Sequence, residues 1–327
     1  MIDSDRFALE VFEDGALLVD LAKGGFFRLN VSAAFVWQRT LAGWDASAVV
    51  DALMRTYGLD TSAAARDRVS ALDLPVARLT PPSDEEMHYA KVGTIYQFSW
   101  RNQALFEVTD DGGRIRSLRP FDPGELPAYL RAISAKVLAL GGVSVLHAGA
   151  VLTSPETVTA FLGVSGAGKT TSAHAFAHAG CKLVCEDKLV LDPNSTADMA
   201  VMDGEARISA WAQDTRARMQ ASPSDWHDTR TIFHIADGPK QRLERLWIVD
   251  SSRRETDLRL RRMGRSEAAG AIFHHGFYGS ADPHALRRHL KRAADMARRL
   301  VVDEATMPSG IPSLRAAARR YTENTAS

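Results

Sequence analysis

The chain is poor in cysteine. Only Cys181 and Cys185 occur among 327 residues, which is too few for a disulfide framework. They read as small buried hydrophobes beside a strand rather than as metal ligands. Their scarcity points to a reduced, cytoplasmic setting. Also missing is any apolar run approaching the ~20 residues that a membrane span needs. The opening Met-Ile-Asp-Ser-Asp-Arg is acidic and has no signal-peptide core. No charge of one sign dominates, since Lys+Arg and Asp+Glu both number 40 and the formal net charge is zero. That balance argues against a dedicated nucleic-acid binder with a uniform positive field. No internal repeat or low-complexity tract is evident. What remains is an ordinary globular composition, 45% hydrophobic and 24% charged, long enough for two domains or one large one.

The most specific feature present is Gly163-Val164-Ser165-Gly166-Ala167-Gly168-Lys169-Thr170. It completes the pattern Gly-x-x-x-x-Gly-Lys-Ser/Thr of a phosphate-binding loop. Glycines let successive backbone N–H groups turn inward around phosphate oxygens. Lys169 then reaches the β/γ-phosphates, and the Thr170 hydroxyl ligates Mg²⁺. The context fits the motif. Val158–Leu162 is an apolar, β-prone run, and Thr171–Ala179 is an Ala-rich helix candidate. The N-terminus of that helix adds partial positive charge at the anion site. The expected nucleotide is ATP with Mg²⁺.

Three further features surround the loop. Glu186-Asp187 follows the apolar stretch Lys182–Cys185. A strand-end carboxylate there holds a metal or takes a proton from an attacking hydroxyl; the alternative is a solvated turn partnered by Lys188. His147 interrupts an apolar run, Val143–Leu152, and needs a polar partner. Glu205-Ala206-Arg207 follows the Gly204 turn and offers a metal ligand and a phosphate contact. Elsewhere, His274-His275 reads as a packed turn before a substrate loop, and Arg287–Arg299 as an exposed amphipathic helix.

The stretch Leu79–Glu86, prolines followed by acids, reads as a linker, taken as residues 79–90. It separates a domain over 1–78 from one over 91–327. In the first, Gly15–Asp20 and Gly25–Asn30 are short strands joined by a Lys23-Gly24-Gly25 turn. Ser32 is the expected cap of a helix through Thr40. Ala46–Tyr57 is a second helix, stopped by Gly58, and Asp60–Leu74 a third. This hairpin with three helices is too small for a large catalytic pocket and suits a binding module. In the second domain, Thr94–Trp100, Ala104–Val108 and Arg114–Leu118 alternate as strands. Glu125–Leu140 is a helix, Leu246–Val249 a strand, and 265–300 largely helical.

Two resemblances follow. Arg28-Leu29-Asn30, Val36-Trp37, Leu41-Ala42-Gly43-Trp44 and Val49–Tyr57 resemble the PqqD-like peptide-binding domains, or RiPP recognition elements, with Phe27 at a usual tyrosine. In that family a leader peptide adds as an extra strand beside the hairpin. A regulatory or dimerising winged-helix-like domain is the other reading of residues 1–78. The order His147, phosphate loop, Glu186-Asp187, Glu205-x-Arg207 resembles the HPr serine kinase/phosphorylase family over Val143–Arg207. Glu186, Ala148 and Thr170 stand where that family has Asp, Gly and Ser, and Ile208–Trp211 replaces its phosphorylase-type segment.

The second resemblance implies an α/β domain with a mixed sheet and the kinase half-reaction. It makes Asp187 the general base, supported by His147, Lys169 and Glu186, with Thr170 and Glu205 as metal ligands. Residues Gly163–Thr171 and Arg207 then hold the nucleotide. Together the two resemblances imply an ATP-dependent kinase for a Ser/Thr hydroxyl of a ribosomally made precursor peptide, with lasso peptides as the first class in view. A kinase of a folded carrier protein and a nucleotide-gated peptide chaperone are the alternatives. The implied partners are that peptide and a homo-oligomer, with neither nucleic acid nor membrane.

Overall fold

The computed structural model describes residues 4–72, 87–101, 103–122, 125–191, 200–202, 224–233, 241–276 and 283–326. A 3-10 turn (Ser4–Arg6) leads into β1 (Phe7–Phe12), β2 (Gly15–Asp20) and β3 (Phe26–Leu29). Next come α1 (Val31–Leu41), α2 (Ala46–Tyr57) and α3 (Thr61–Leu72). Then follow β4 (His88–Val92), β5 (Ile95–Trp100), β6 (Gln103–Thr109), β7 (Arg114–Ser117) and α4 (Glu125–Leu140). The central elements are β8 (Ser144–His147), β9 (Gly149–Leu152), β10 (Thr157–Leu162), α5 (Lys169–His178), β11 (Lys182–Cys185) and β12 (Lys188–Leu191). After β13 (Ala200–Met202), β14 (His227–Asp228) and α6 (Thr229–Ile232) come β15 (Gln241–Glu255) and β16 (Arg259–Arg262). The last described elements are α7 (Arg265–Gly276), α8 (Pro283–Arg299), β17 (Val301–Pro308) and α9 (Ile311–Ala326).

These elements form two compact units. The first holds Met1–Thr80 together with Arg262–His274 and Gly279–Arg299. Its sheet is antiparallel in the order β1-β2-β3, so β3 is an edge. Asp20 sets the β2–β3 turn. Its carboxylate accepts from the backbone N–H of Ala22 and Lys23 and takes both prongs of the Arg6 guanidinium. Those donors, Arg6 first, hold the Asp20 pKa below the usual carboxylate range. The helix after β3 is capped by Asn30, not by Ser32 as the sequence suggested. Asn30 accepts from Ala33 N–H at 2.9 Å, and Ser32 donates to the same Asn30 oxygen. The helix begins two residues earlier than expected, which puts Asn30 at the distance from N3, Ala33, that capping needs. Gly58 ends α2 in the left-handed region at φ 64°, as expected.

Every residue of β2 is buried, because helices cover both sheet faces. Ala16, Leu18 and Leu29 pack with Trp37 of α1. On the opposite face Leu17 meets Gly270 of α7, and Phe26 meets Phe273 edge-on at 5.5 Å. Asp14, in the β1–β2 turn, accepts from the backbone N–H and hydroxyl of Ser266 at the start of α7. Glu10 pairs with Arg298 of α8 at 2.8 Å. The sequence boundaries 1–78 and 91–327 do not contain this arrangement. A three-stranded sheet with two apolar faces needs two covers, and α1–α3 supply one. The stretch Arg287–Arg299, read as exposed, lies on a helix that buries Leu286, Leu290 and Met296.

The second unit carries two sheets. A five-stranded antiparallel sheet, β14-β7-β6-β5-β4, packs with α4 around Phe98, Phe106 and Ile133. A nine-stranded mixed sheet runs β11-β9-β10-β15-β13-β12-β8, with β17 beside β15 and β16 beside β17. Within it β10, β15 and β17 are parallel. Its core joins Phe161 and Phe176 to Trp247, and Tyr321 of α9 lies edge-on to Trp247 at 4.9 Å. The stretch Val143–Leu152 is one bent run. Ala148 divides it, so that β8 pairs with β12 while β9 pairs with β10 and β11.

Candidate functional site

The loop after β10 has the backbone its glycines predict. Gly166 and Gly168 lie in the left-handed region at φ 79° and 98°, which side chains with a Cβ adopt only at a cost. Gly163 is held by a close approach as well. A Cβ there would stand 2.9 Å from the Val249 carbonyl oxygen and 3.1 Å from the Ala167 Cβ. Gly168 precedes α5 and, among the described residues, no side chain caps that helix. Its first N–H groups are the kind that anions take. Lys169 is buried. Its Nζ donates to the carbonyls of Gly163 and Val164, at 3.1 Å each. Burial lowers the Lys169 pKa, and the negative charge of Asp187 partly offsets the shift. Val164, Ser165 and Gly166 are exposed at the loop tip, as are Thr170 and Thr171 at the helix start.

The turn between β11 and β12 brings Asp187 to this loop. Its Oδ1 accepts from His147 Nε2 and its Oδ2 from Lys188 Nζ, both at 2.9 Å. The hydrogen bond from His147 is the largest cause holding the Asp187 carboxyl well below the usual range. Desolvation opposes it, and Lys188 adds to it. Lys188 is nearly enclosed, with 8% of its side chain exposed, so it needs this carboxylate. The register follows from the sheet: Lys188 lies opposite His147 across β12 and β8, and Ala148 N–H donates to the Asp187 carbonyl. Thr170 donates to the Glu186 carbonyl at 3.3 Å. Gly149 makes room for all of this. A Cβ there would come within 3.0 Å of the Lys169 carbonyl oxygen and 3.1 Å of the Ala173 Cβ.

His147, Lys169, Thr170 and Asp187 therefore meet at one end of the mixed sheet. Glu186 is adjacent in sequence, but its carboxylate turns to His174 Nε2 at 3.1 Å. Glu205 and Arg207 lie outside the described residues. Among the described residues, no group of three or more His, Cys, Asp and Glu side chains is gathered to hold a metal ion. Cys185 is buried and donates to the Ala148 carbonyl, while Cys181 is half-buried. His274 stands on α7 against the Phe26 ring at 5.4 Å, not in a turn. Among the described residues no helix is long and apolar enough to cross a membrane.

The sequence reading treated Lys188 only as a solvated turn partner and missed His174 and Gly149. The signal for Lys188 was available: a lysine flanked by apolar residues, directly after an acid, needs an internal partner. The pairing of His174 with Glu186 has no such signal, because the two residues belong to a helix and a turn brought together by packing.

In the first unit, β3 presents its outer edge with Phe26 and Phe27 half-buried and Arg28 exposed. Residues 15–73 match the family described as coenzyme PQQ synthesis protein D (PqqD). The first unit therefore includes an N-terminal domain of the RiPP-recognition type. The match begins at Gly15 and leaves out β1. No curated protein matches the chain.

Proposed function

We propose that the protein is an ATP-dependent kinase that phosphorylates a Ser or Thr hydroxyl of a ribosomally made precursor peptide. The observation that carries this reading is the meeting of Asp187 with the glycine loop, beside the buried Lys169. Phosphoryl transfer asks a protein mainly for positioning and charge neutralisation. Lys169, freed from the Gly163 and Val164 carbonyls, neutralises the β/γ-phosphates, and the loop N–H groups hold their oxygens. His147 and Lys188 fix both oxygens of Asp187, so the carboxylate has one orientation toward the acceptor. The acceptor hydroxyl donates to Asp187, its oxygen bonds to the γ-phosphorus, and the bond to the β–γ bridging oxygen breaks. ADP leaves, and the hydroxyl proton ends on Asp187. Its low pKa makes Asp187 a weak base, which suits a reaction whose proton departs late.

The donor chemistry at the loop is hard oxygen, which fits Mg²⁺. Thr170 is the donor that would hold it, with Glu205 the expected second ligand. Bound Mg²⁺ supplies charge neutralisation at the phosphate oxygens.

The PqqD-type domain supports a peptide as the acceptor. A leader strand added along the β3 edge would tether the peptide to the enzyme and raise the effective concentration of its core segment. The test is transfer of γ-phosphate from labelled ATP to a leader-bearing peptide. Asp187→Asn should lower the rate by about 10²–10⁴ and leave ATP binding in place. Unchanged transfer would remove Asp187 from its role. ATP binding without transfer to any peptide would favour a nucleotide-gated binder.

A further inference from the structure

A second feature borders the loop. In the sheet, β9 and β11 flank β10 on one side, and β15 and then β17 on the other. Asp187 follows closely on β11, on the β9–β11 side. On the β15–β17 side lies a cleft of about 280 Å³. One wall is the loop and first turn of α5, through Gly168, Thr171 and Ser172. The other is made by the strand ends of β15 and β17 and the start of α9, notably Asp250, Pro308 and Ile311.

Two observations say that this cleft is built for a ligand. Ser172 is 1% exposed, and its hydroxyl has no hydrogen-bond partner among the described residues. A buried hydroxyl left without a partner costs stability. Ile311 is 55% exposed at the rim, so an apolar side chain is held open to solvent there. The lining includes no Lys, Arg or His. It does include Asp250, an acceptor for hydroxyl or amine donors, and Met307, Pro308, Ile311 and Leu314, which suit the flat faces of a base. Asp250 stands where the regular pairing of β15 with β17 breaks off. The cleft is slightly smaller than the ~300–1,000 Å³ of sites that take a whole drug-sized ligand, so it fits part of one.

We infer that this cleft holds the nucleoside, base and ribose, of the nucleoside triphosphate whose phosphates occupy the loop. This rests on the nucleotide reading of Gly163–Thr170. Asp250 accepts from the ribose hydroxyls, as acidic residues do at strand ends in other nucleotide folds. The Met307–Leu314 surface takes the base. The phosphate chain then runs across the mouth of α5 from the nucleoside side to the Asp187 side, with the γ-phosphate toward Asp187.

The test compares ATP with inorganic tripolyphosphate, each with Mg²⁺, by calorimetric titration of the full chain. Tripolyphosphate carries the phosphates and no nucleoside. ATP should bind more tightly than tripolyphosphate. Asp250→Ala should weaken ATP about tenfold, the loss expected for a hydrogen bond to a charged group, and leave tripolyphosphate unchanged. It should have no effect on 2′,3′-dideoxy-ATP. Ile311→Ala should weaken ATP alone, and Lys169→Ala should weaken both ligands. Equal affinity of the wild-type chain for ATP and tripolyphosphate, or an Asp250→Ala loss that includes tripolyphosphate, overturns the inference but spares the loop. Failure of both ligands to bind the wild-type chain overturns the nucleotide reading as well.

Discussion

His289 lies 9% exposed on α8, and burial pushes its pKa down to about 4, with Arg288 adding to the shift. Free histidine titrates near 6.5, so the unfolded chain binds the extra proton first as pH falls. Stability is then complete above about pH 6.5 and lost progressively down to about pH 4. The span is worth about 3 kcal/mol at 1.36 kcal/mol per pH unit. His274, lowered in the same direction by burial, adds to that slope. The lowered carboxylates, Asp20 and Asp187, act only below their ordinary range, so the window above pH 4 belongs to the histidines. Urea unfolding at pH 7 and pH 4.5 should show the loss, and His289→Gln should flatten most of it. An equal pH dependence in the variant would mean that His289 does not titrate with folding. The sequence carried no hint of this group. A histidine among arginines reads as solvated until the opposite side of its helix is seen to be buried.

Among the elements, β9 and α5 are fitted by Gly149. Gly149→Ala would press a methyl group against the Lys169 carbonyl, a backbone atom that cannot turn aside. Overpacking of this kind costs about 1–3 kcal/mol, and here it bears on the turn of helix that starts the loop site. The expected result is a lower melting temperature and weaker ATP binding together, read by thermal unfolding with and without nucleotide. A lower melting temperature with unchanged ATP affinity would separate Gly149 from the site. Much of this region was legible beforehand. The strand Val158–Leu162, the glycine loop and the following helix were each evident, because glycine, lysine and apolar runs carry local meaning. The bend at Ala148 was legible as an interruption by His147. What was not legible is long-range pairing. β17 and α9, which complete the parallel sheet and the cleft, left no motif, since an apolar strand followed by a mixed helix is common. Asp250 was equally silent, because its role comes from the strand end on which it stands.

On the scale of the whole molecule, the discontinuous first unit changes how the peptide-binding reading is tested. Deleting residues 1–80 removes more than a docking strand. It strips Asp14 from Ser266, Glu10 from Arg298, and the β1–β2 surface from α7 and α8. The truncated chain should therefore show lost helicity and self-association by circular dichroism and size-exclusion chromatography. A soluble monomer with α7 and α8 still resistant to protease would mean that those helices need no sheet. The same feature has a consequence for biosynthesis. Roughly 190 residues separate the end of α3 from the start of α7, and at about 5–20 residues per second they take roughly 10–40 s to make. Throughout that interval the sheet face bearing Leu17 and Phe26 waits uncovered on the nascent chain. A stop codon or frameshift near codon 260 would leave all of residues 15–73 encoded, yet the recognition domain would emerge incomplete.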